Sequence, residues 1–269
     1  MKANLLSNYF KSVFTKEDLQ NMPPEATSPY ADIPPIHFCT VGITKLLQKV
    51  DCKKANGPDG IPCYILKEAA AELAPFLQFL FIQSLHTGSV PQAWLKATVV
   101  PVHKKGNGSQ VDNYRPISLT SVPCKIMGHI IFHEMVSYLD SNQVLVNYQH
   151  GFHKKLSCET QLICTVEEIA RFLDKGEEID LIIMDFSTAF DSFPHQRLLM
   201  KLRYYGIRGI LNTWLIQWLT CRSQLVVVDG YNSPDVPVLS ELPQGTVLGP
   251  LLFHLYINDL GCVFSLIIL

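Results

Sequence analysis

Long apolar runs, a cysteine framework and an excess of basic charge are all missing from these 269 residues. A membrane-spanning helix needs about 20 mostly apolar residues with few or no charges. The most apolar segment, residues 251–269, is interrupted by His254, Asn258 and Asp259, so no membrane span is expected. The opening Met1-Lys2-Ala3-Asn4-Leu5-Leu6 lacks the long apolar stretch of a secretory signal. The eight cysteines form no C-x-x-C pair and no small-domain pattern, which argues against a disulfide scaffold or a zinc cluster. A reduced, intracellular chain is expected, in cytoplasm or nucleus. Neither a P-loop nor a dinucleotide fingerprint is present. The formal net charge is −2, whereas nucleic-acid binders tend to be basic, so any such surface must be local. Residues 96–125 supply one candidate, with Lys96, Lys104, Lys105, Arg115 and Lys125 against Asp112 alone, and His150, His153, Lys154 and Lys155 supply another.

What is present suffices for a large core. Apolar residues make up 48% of the chain and charged residues 17%, the balance of a folded protein. Pro23, Pro24, Pro29, Pro34 and Pro35 punctuate residues 1–38, which read as a linker or flexible N-terminal segment. The pattern then predicts helices over 40–50 and 64–86, with the turn Asn56-Gly57-Pro58-Asp59-Gly60 between them. Thr98, Val99, Val100 and Val102 predict a strand over 97–103, and 115–119 a short strand pairing back on it. Helices are expected at 123–139, 158–173, 194–205, 210–219 and 246–260. Strands are expected at 179–186 and, as a hairpin around Gly230, at 225–228 and 236–239. No internal repeat is visible, and the mixed order reads as α+β rather than alternating βαβ.

Few residues stand out chemically. Asp185 ends the apolar run 181–184, where a desolvated carboxylate is costly unless a cation meets it. It either binds a divalent metal at a strand end or caps the helix that starts near Pro194. Asp191 lies past the strand and need not share its site. Pro243-Gln244-Gly245 is a turn before a helix. It either exposes backbone N–H groups suited to phosphate or is an ordinary turn. Lys104, Lys105 and Arg115 flank a glycine-containing loop between two short strands. They either sit over a phosphate group or are a solvated loop. His129 and His133 have i, i+4 spacing, but Ile130 stands where a zincin has Glu, so a half-exposed helix face is the plainer reading.

In series these segments acquire specificity. Lys54-Ala55-Asn56-Gly57-Pro58-Asp59-Gly60-Ile61-Pro62 is followed by Val100–Gly106, Asn113–Leu119, Gln149-His150-Gly151-Phe152, Asp185–Asp191, and Leu242–Phe253 with Tyr256-Ile257-Asn258-Asp259. Over about residues 40–260 this succession resembles the reverse transcriptase of non-LTR (LINE-type) retrotransposons, on the jockey or CR1 side of that group. The resemblance implies a right-hand polymerase copying RNA into DNA with two Mg²⁺. Its fingers would occupy about 39–175 and a partial palm about 176–269. It implies Asp185 as catalytic and metal-binding, with the Phe186 backbone carbonyl beside it. It further implies Lys104 and Arg115 on the triphosphate, Phe190 under the sugar rejecting a 2′-hydroxyl, and Gln244 with Gly245 at the incoming nucleotide. The implied partners are RNA template, DNA primer and deoxynucleotides.

Departures from the family's pattern qualify this. His153 and Leu156 stand where basic or polar residues are usual. Residues 261–269, which contain no acid, stand where the family has an aromatic-x-Asp-Asp turn after the Ile-Asn-Asp segment, and the thumb is expected to be missing from these residues. Two Mg²⁺ roughly 3.5–4 Å apart require several carboxylates. By the family's geometry neither Asp191 nor Asp259 substitutes, so a chain truncated before that turn is expected to be catalytically incomplete. An unpaired palm edge would then loosen the region after about residue 220. The competing expectations are an RNA-binding remnant acting through Lys104, Lys105 and Arg115, and a decayed fragment. Gly128 inside a helix, a cost of about 1 kcal/mol relative to Ala, fits the latter.

Overall fold

The computed structural model describes residues 1–146, 148–151, 156–183 and 189–260. Its elements are α1 (Lys2–Ser12), α2 (Thr40–Gln48), α3 (Cys63–Glu68), α4 (Ala70–Thr87), α5 (Gln92–Leu95), β1 (Lys96–His103), β2 (Tyr114–Leu119), α6 (Val122–Ser141), α7 (Cys158–Asp174), α8 (His195–Tyr204), α9 (Gly209–Thr220), β3 (Ser223–Val228), β4 (Tyr231–Asn232), β5 (Val236–Pro237) and α10 (Leu248–Ile257). The mixed α+β order matches the expectation, and no described helix is long and apolar enough to cross a membrane.

β1 organises the sheet. Its β-branched residues suit a pleated, half-buried strand, and Ala97 and Val99 turn inward while Thr98 and Val100 are partly covered. β2 pairs antiparallel on one side, placing Val100 opposite Ile117 and Val102 opposite Arg115. On the other side β3 runs parallel, with Thr98 opposite Leu225. Asp229 and Gly230, at φ 53° and 80°, turn β3 tightly into β4, the left-handed pair a two-residue hairpin demands. The strand expected at 236–239 is also there, as β5, but it pairs with the start of β3, Ser223 facing Pro237.

The helices gather one large core around Phe81, Met127, Leu198, Trp214, Leu219 and Leu252. The buried Trp214 Nε1 donates to Ser84 Oγ at 2.9 Å, so its polar atom is satisfied. Ser157 and Thr160 form a reciprocal capping box at the start of α7, and Gly88, at φ 64°, closes α4 in the left-handed conformation. The helix expected over 64–86 is in fact two, broken at Ala69 (φ −93°, ψ 28°). Gly128 sits where α6 meets α10. A Cβ there would lie 3.8 Å from Leu248 Cγ, an ordinary contact, so the space does not require glycine.

Within residues 1–38, expected as a linker, the structure differs. Leu6 and Phe10 lie on one face of α1 and join Val99 and Val226 in a second, smaller core. The Thr15 N–H donates to Ser240 Oγ (2.9 Å) and its hydroxyl to the Ser192 carbonyl (2.8 Å). Glu17 caps α8, accepting the N–H groups of Gln196 and Arg197 at 2.8 Å each, an anion at the positive end of the helix. The five prolines hide this because the contacts that order the segment come from far along the chain.

Two further differences concern the middle and the end of the chain. Residues 179–183 form no strand, and Leu181, Ile182 and Ile183 are 59%, 68% and 85% exposed; residues 184–186 lie outside the described residues. The run pairs with no described strand, and hydrophobicity alone does not make a strand without a partner. By contrast the described residues after 220, which end at 260, are packed. Leu242, Leu248, Leu252 and Leu255 are at most 2% exposed and belong to the main core. α7 instead buries no residue and presents Leu162, Ile163, Val166 and Leu173 to solvent. Segments with few buried contacts open first. Limited trypsinolysis followed by mass spectrometry should therefore cut at Arg171 or Lys175 well before any site beyond residue 220. The reverse order would contradict this packing.

Candidate functional site

Three segments meet beside the end of β2. The turn 240–247 runs along the loop 189–194: the Leu242 N–H donates to the Phe190 carbonyl (2.8 Å), the Glu241 N–H to the Phe193 carbonyl (3.4 Å), and the Ser240 hydroxyl to the Asp191 carbonyl (2.8 Å). The Ser118 N–H of β2 donates to the Gln244 carbonyl at 3.0 Å, hooking the turn onto the sheet. Gly245 stands at φ 98°, and a Cβ there would approach the Ser118 carbonyl oxygen to 3.4 Å. Glycine takes that backbone without strain and lets the turn press against β2. The Thr246 hydroxyl donates to the Pro243 carbonyl (2.8 Å) and accepts the Gly249 N–H (3.3 Å), which opens α10.

Side chains converge on the same corner. Gln244 Nε2 donates to Asp191 Oδ1 at 2.8 Å. Burial pushes the Asp191 carboxyl above its ordinary range, while the Gln244 bond and the Lys104 ammonium pull it down. Phe190, half-buried, stacks on Phe253 of α10 with centroids 5.0 Å apart and planes 18° apart, so one face of its ring is held. Lys104 follows β1; its N–H donates to the Asn113 carbonyl (2.7 Å) and closes the hairpin over Gly106, whose φ is 83°. The exposed Arg115 lies on β2, the strand that hooks Gln244. From α1, Tyr9 borders the corner: burial first, then the charges of Asp112 and Asp191, raise its hydroxyl.

Of the residues expected from the sequence, the structure thus places Phe190, Gln244 and Gly245 together, with Lys104 acting electrostatically on the same carboxylate and Arg115 on the adjoining strand. Asp185, Phe186 and His153 lie outside the described residues, as do 261–269, whereas Leu156 is described and partly exposed. Among the described residues no group of three His, Cys, Asp or Glu side chains could hold a metal ion. Asp191 is engaged by Gln244, Asp259 by the Lys201 ammonium of α8, and His133 faces Glu134 at 3.7 Å in an exposed pair. The described residues by themselves do not fit a divalent-metal centre. A metal role here would rest on Asp185.

Sequence reasoning missed what lies beneath the turn. Glu241 is 4% exposed and held at φ 111°, a left-handed backbone unusual for a residue with a side chain. Arg222 is buried behind it, its guanidinium 5.5 Å from the Trp218 ring centroid and without a hydrogen-bond acceptor among the described residues. Burial raises the Glu241 carboxyl from an ordinary 4.5 to about 7; Arg222 opposes the rise and Asp191 adds to it. Between those two values the folded state keeps a proton that the unfolded state has released, so stability falls as pH climbs from about 4.5 to about 7. His195, buried with Nε2 2.9 Å from the Glu241 carbonyl oxygen, has its pKa lowered by burial and acts oppositely, costing stability as pH drops below 6.5. Glu241→Gln isolates the first effect. Thermal or urea unfolding should show wild type losing up to about 3 kcal/mol relative to the variant between pH 5 and 8. Parallel pH profiles would contradict the burial of this carboxyl.

Comparison with known proteins gives this corner a context. Residues 102–266 match the family model described as reverse transcriptase (RNA-dependent DNA polymerase). The chain is 29% identical over 242 residues to the RNA-directed DNA polymerase from mobile element jockey of Drosophila melanogaster, covering 87% of this chain and 26% of that protein. It is 27% identical over 266 residues to the protein of the same name from Drosophila funebris, covering 96% of this chain and 28% of that one. The "Probable RNA-directed DNA polymerase from transposon BS" of Drosophila melanogaster is 27% identical over 276 residues, covering 97% of this chain and 30% of that one. The chain therefore spans between a quarter and a third of the length of these relatives.

Proposed function

The chain belongs to the reverse transcriptase (RNA-dependent DNA polymerase) family, and from that premise we propose that it forms the nucleotide-holding part of an RNA-directed DNA polymerase of a non-LTR retrotransposon. The observation that carries this reading is the corner where Phe190, Asp191 and Gln244 are fastened to β2 inside the matched span. We assign residues 39–175 to fingers and 176–269 to palm. RNA template, DNA primer and deoxynucleotides are the partners, and the setting is intracellular.

In this reading the hairpin of β1 and β2 brings Lys104 and Arg115 to the triphosphate. Arg115 is suited to bidentate contact with phosphate oxygens and Lys104 to a point-charge contact. Phe190 supports the sugar from below, its far face braced by Phe253. Gln244 meets the sugar from the side, and Gly245 lets the turn lie flat against β2. Asp185, with the Phe186 carbonyl, is the proposed magnesium-facing group. Phosphoryl transfer depends mainly on positioning and charge neutralisation, and the described residues provide the positioning.

One carboxylate does not neutralise two divalent ions, so we expect residues 1–269 acting alone to retain nucleotide and template without extending a primer. Purified protein on poly(rA)/oligo(dT), assayed with Mg²⁺ and Mn²⁺, should bind dTTP in a template-dependent manner and yield no elongated product. Extension abolished by Asp185→Ala would overturn the second half of that expectation, and absence of dTTP binding would overturn the nucleotide-site reading. The exposed cations Lys104, Lys105 and Arg115 on the β1–β2 hairpin suit one alternative, a non-enzymatic RNA-binding role. RNA retention without metal, steeply salt-dependent and indifferent to dTTP, would select it.

A further inference from the structure

An asparagine followed by glycine can attack itself. Glycine carries no Cβ, so its backbone nitrogen approaches the preceding side-chain amide with little obstruction. The sequence holds two such pairs, Asn56-Gly57 and Asn107-Gly108, and the fold treats them differently. Asn56 lies in a clamped turn. Its Oδ1 accepts the Cys63 N–H at 3.3 Å, and the Gly57 carbonyl accepts the Gly60 N–H at 3.0 Å. Gly57 itself is buried, so close to the chain at 120–121 that a Cβ would stand 2.8 Å from the Thr120 carbonyl oxygen and from Ser121 Cα. Backbone packed on backbone leaves its nitrogen no room to swing toward Asn56 Cγ.

Asn107 stands in the open loop of the β1–β2 hairpin, where residues 102–110 are all exposed. The Gly108 N–H donates to none of the described residues, and a Cβ on Gly108 would meet nothing nearer than the Tyr114 hydroxyl at 3.6 Å. The Asn107 side chain is instead presented for attack. Its Oδ1 accepts both the Ser109 N–H at 3.0 Å and the Ser109 hydroxyl at 2.8 Å. Two donors on one carbonyl oxygen draw electrons from its carbon and steady the negative charge that forms on the oxygen during addition, as an oxyanion hole does in acyl transfer. The Asn107 backbone carbonyl, accepting the Gln110 N–H (3.1 Å) and Asn113 Nδ2 (3.0 Å), keeps the loop in this shape.

We propose that Asn107 is a self-modification site: Ser109 polarises its side-chain carbonyl, the Gly108 nitrogen attacks it, and the residue becomes aspartate or isoaspartate while Asn56 stays intact. The Gly108 nitrogen gives up its proton and bonds to Asn107 Cγ. The Cγ–Nδ2 bond breaks, and Nδ2 leaves as ammonia with a proton from solvent. Water then opens the cyclic imide at either carbonyl. The sum is amide plus water to carboxylic acid plus ammonia, with no oxidant and no cofactor. The product sets a carboxylate in the loop that Lys104 and Lys105 enter. Resting on the functional reading above, this lowers the positive charge that the hairpin offers to phosphate.

The test is a time course of the purified 269-residue protein at 37 °C and pH 8, digested with trypsin and read by mass spectrometry. Asn107 is released in residues 106–125 and Asn56 in residues 55–67, and fragmentation separates position 107 from Asn113. In the folded protein Asn107 should convert at least about tenfold faster than Asn56, whose clamp must open first. In urea the two rates should become comparable. Ser109→Ala keeps the N–H donor and loses the hydroxyl, so conversion should slow about 2- to 10-fold. Equal rates in the folded protein, or a faster Asn56, overturn the proposal, and an unchanged rate in Ser109→Ala overturns the role of the serine. Poly(rA) retention by fresh protein, aged protein and Asn107→Asp reads the consequence. One lost cation equivalent should make the salt dependence of log affinity shallower by about 0.7 in the aged protein and in Asn107→Asp alike. An unchanged slope overturns the consequence and leaves the modification standing. Retention by none of the three overturns the functional reading, which the mass measurement does not depend on.

Discussion

Gly206→Ala is expected to destabilise the protein by about 4 kcal/mol or more, enough to leave much of it unfolded at 37 °C. Gly206 follows α8 at φ 82°, and an added Cβ would stand 2.0 Å from the Tyr138 hydroxyl and 2.3 Å from the Ala31 carbonyl oxygen. Backbone bounds the site on one side. On the other is a hydroxyl already committed, donating to the Ala31 carbonyl at 2.6 Å and lying 3.0 Å from that of Tyr205. The Gly206 carbonyl in turn accepts the Ile33 N–H at 2.9 Å. Three costs therefore combine: left-handed strain of about 1–2 kcal/mol, overpacking of about 1–3, and loss of a buried hydrogen bond of about 1–3. Net stabilities of about 5–15 kcal/mol leave little after such a loss. Gly209 is the internal control. Its φ is 62° but nothing lies within 4 Å of its Cβ position, so Gly209→Ala should cost only the strain. Urea midpoints of the two variants should differ widely. Similar midpoints would mean that the 28–33 segment is not clamped against α6 and α8 as described.

Phe190→Val is expected to abolish discrimination against ribonucleotides. The ring is fixed from behind by Phe253, which is itself 6.0 Å from Phe193, and Phe193 lies 4.5 Å from Tyr256. A ring backed by three others cannot retreat when a 2′-hydroxyl approaches. Forcing an extra group against a packed side chain typically costs about 1–3 kcal/mol, or roughly 5- to 150-fold in affinity. Wild type should accordingly bind dTTP at least about tenfold more tightly than the corresponding ribonucleotide, and Phe190→Val should bring the two within about threefold. The variant gains affinity for one ligand, a change that general destabilisation does not produce. A preference unaltered by the substitution would remove Phe190 from the sugar site.

Much of this fold is legible in the sequence because its signals are local. The β-branched run 98–102 marks β1, apolar residues at helical spacing mark α6, α8 and α9, and Pro243-Gln244-Gly245 marks a turn opening α10. The proposed nucleotide corner is legible only in outline. Its residues can be named singly, but Asp191 looks idle until the fold sets it against Gln244. Nothing in the sequence singles out Glu241, and only tertiary packing shows it buried in front of Arg222. α1 escapes notice for the same reason, since Leu6 and Phe10 acquire their meaning from Val99 and Val226. A strong local signal that misleads is the aliphatic run expected as a strand over 179–186, of which 179–183 are described and form none. Its composition promises a strand, yet the described sheet offers it no partner.

Where a deoxynucleotide sits decides the matter most directly. Photo-crosslinking of an azido-substituted deoxynucleoside triphosphate to the protein on poly(rA)/oligo(dT), with peptides mapped by mass spectrometry, reads the site without requiring turnover. Labelling confined to peptides spanning residues 104–119, 189–194 and 240–247, and displaced by unlabelled dTTP, is the predicted result. Labelling elsewhere, such as on α4 or α7, or labelling that dTTP does not displace, would contradict the account.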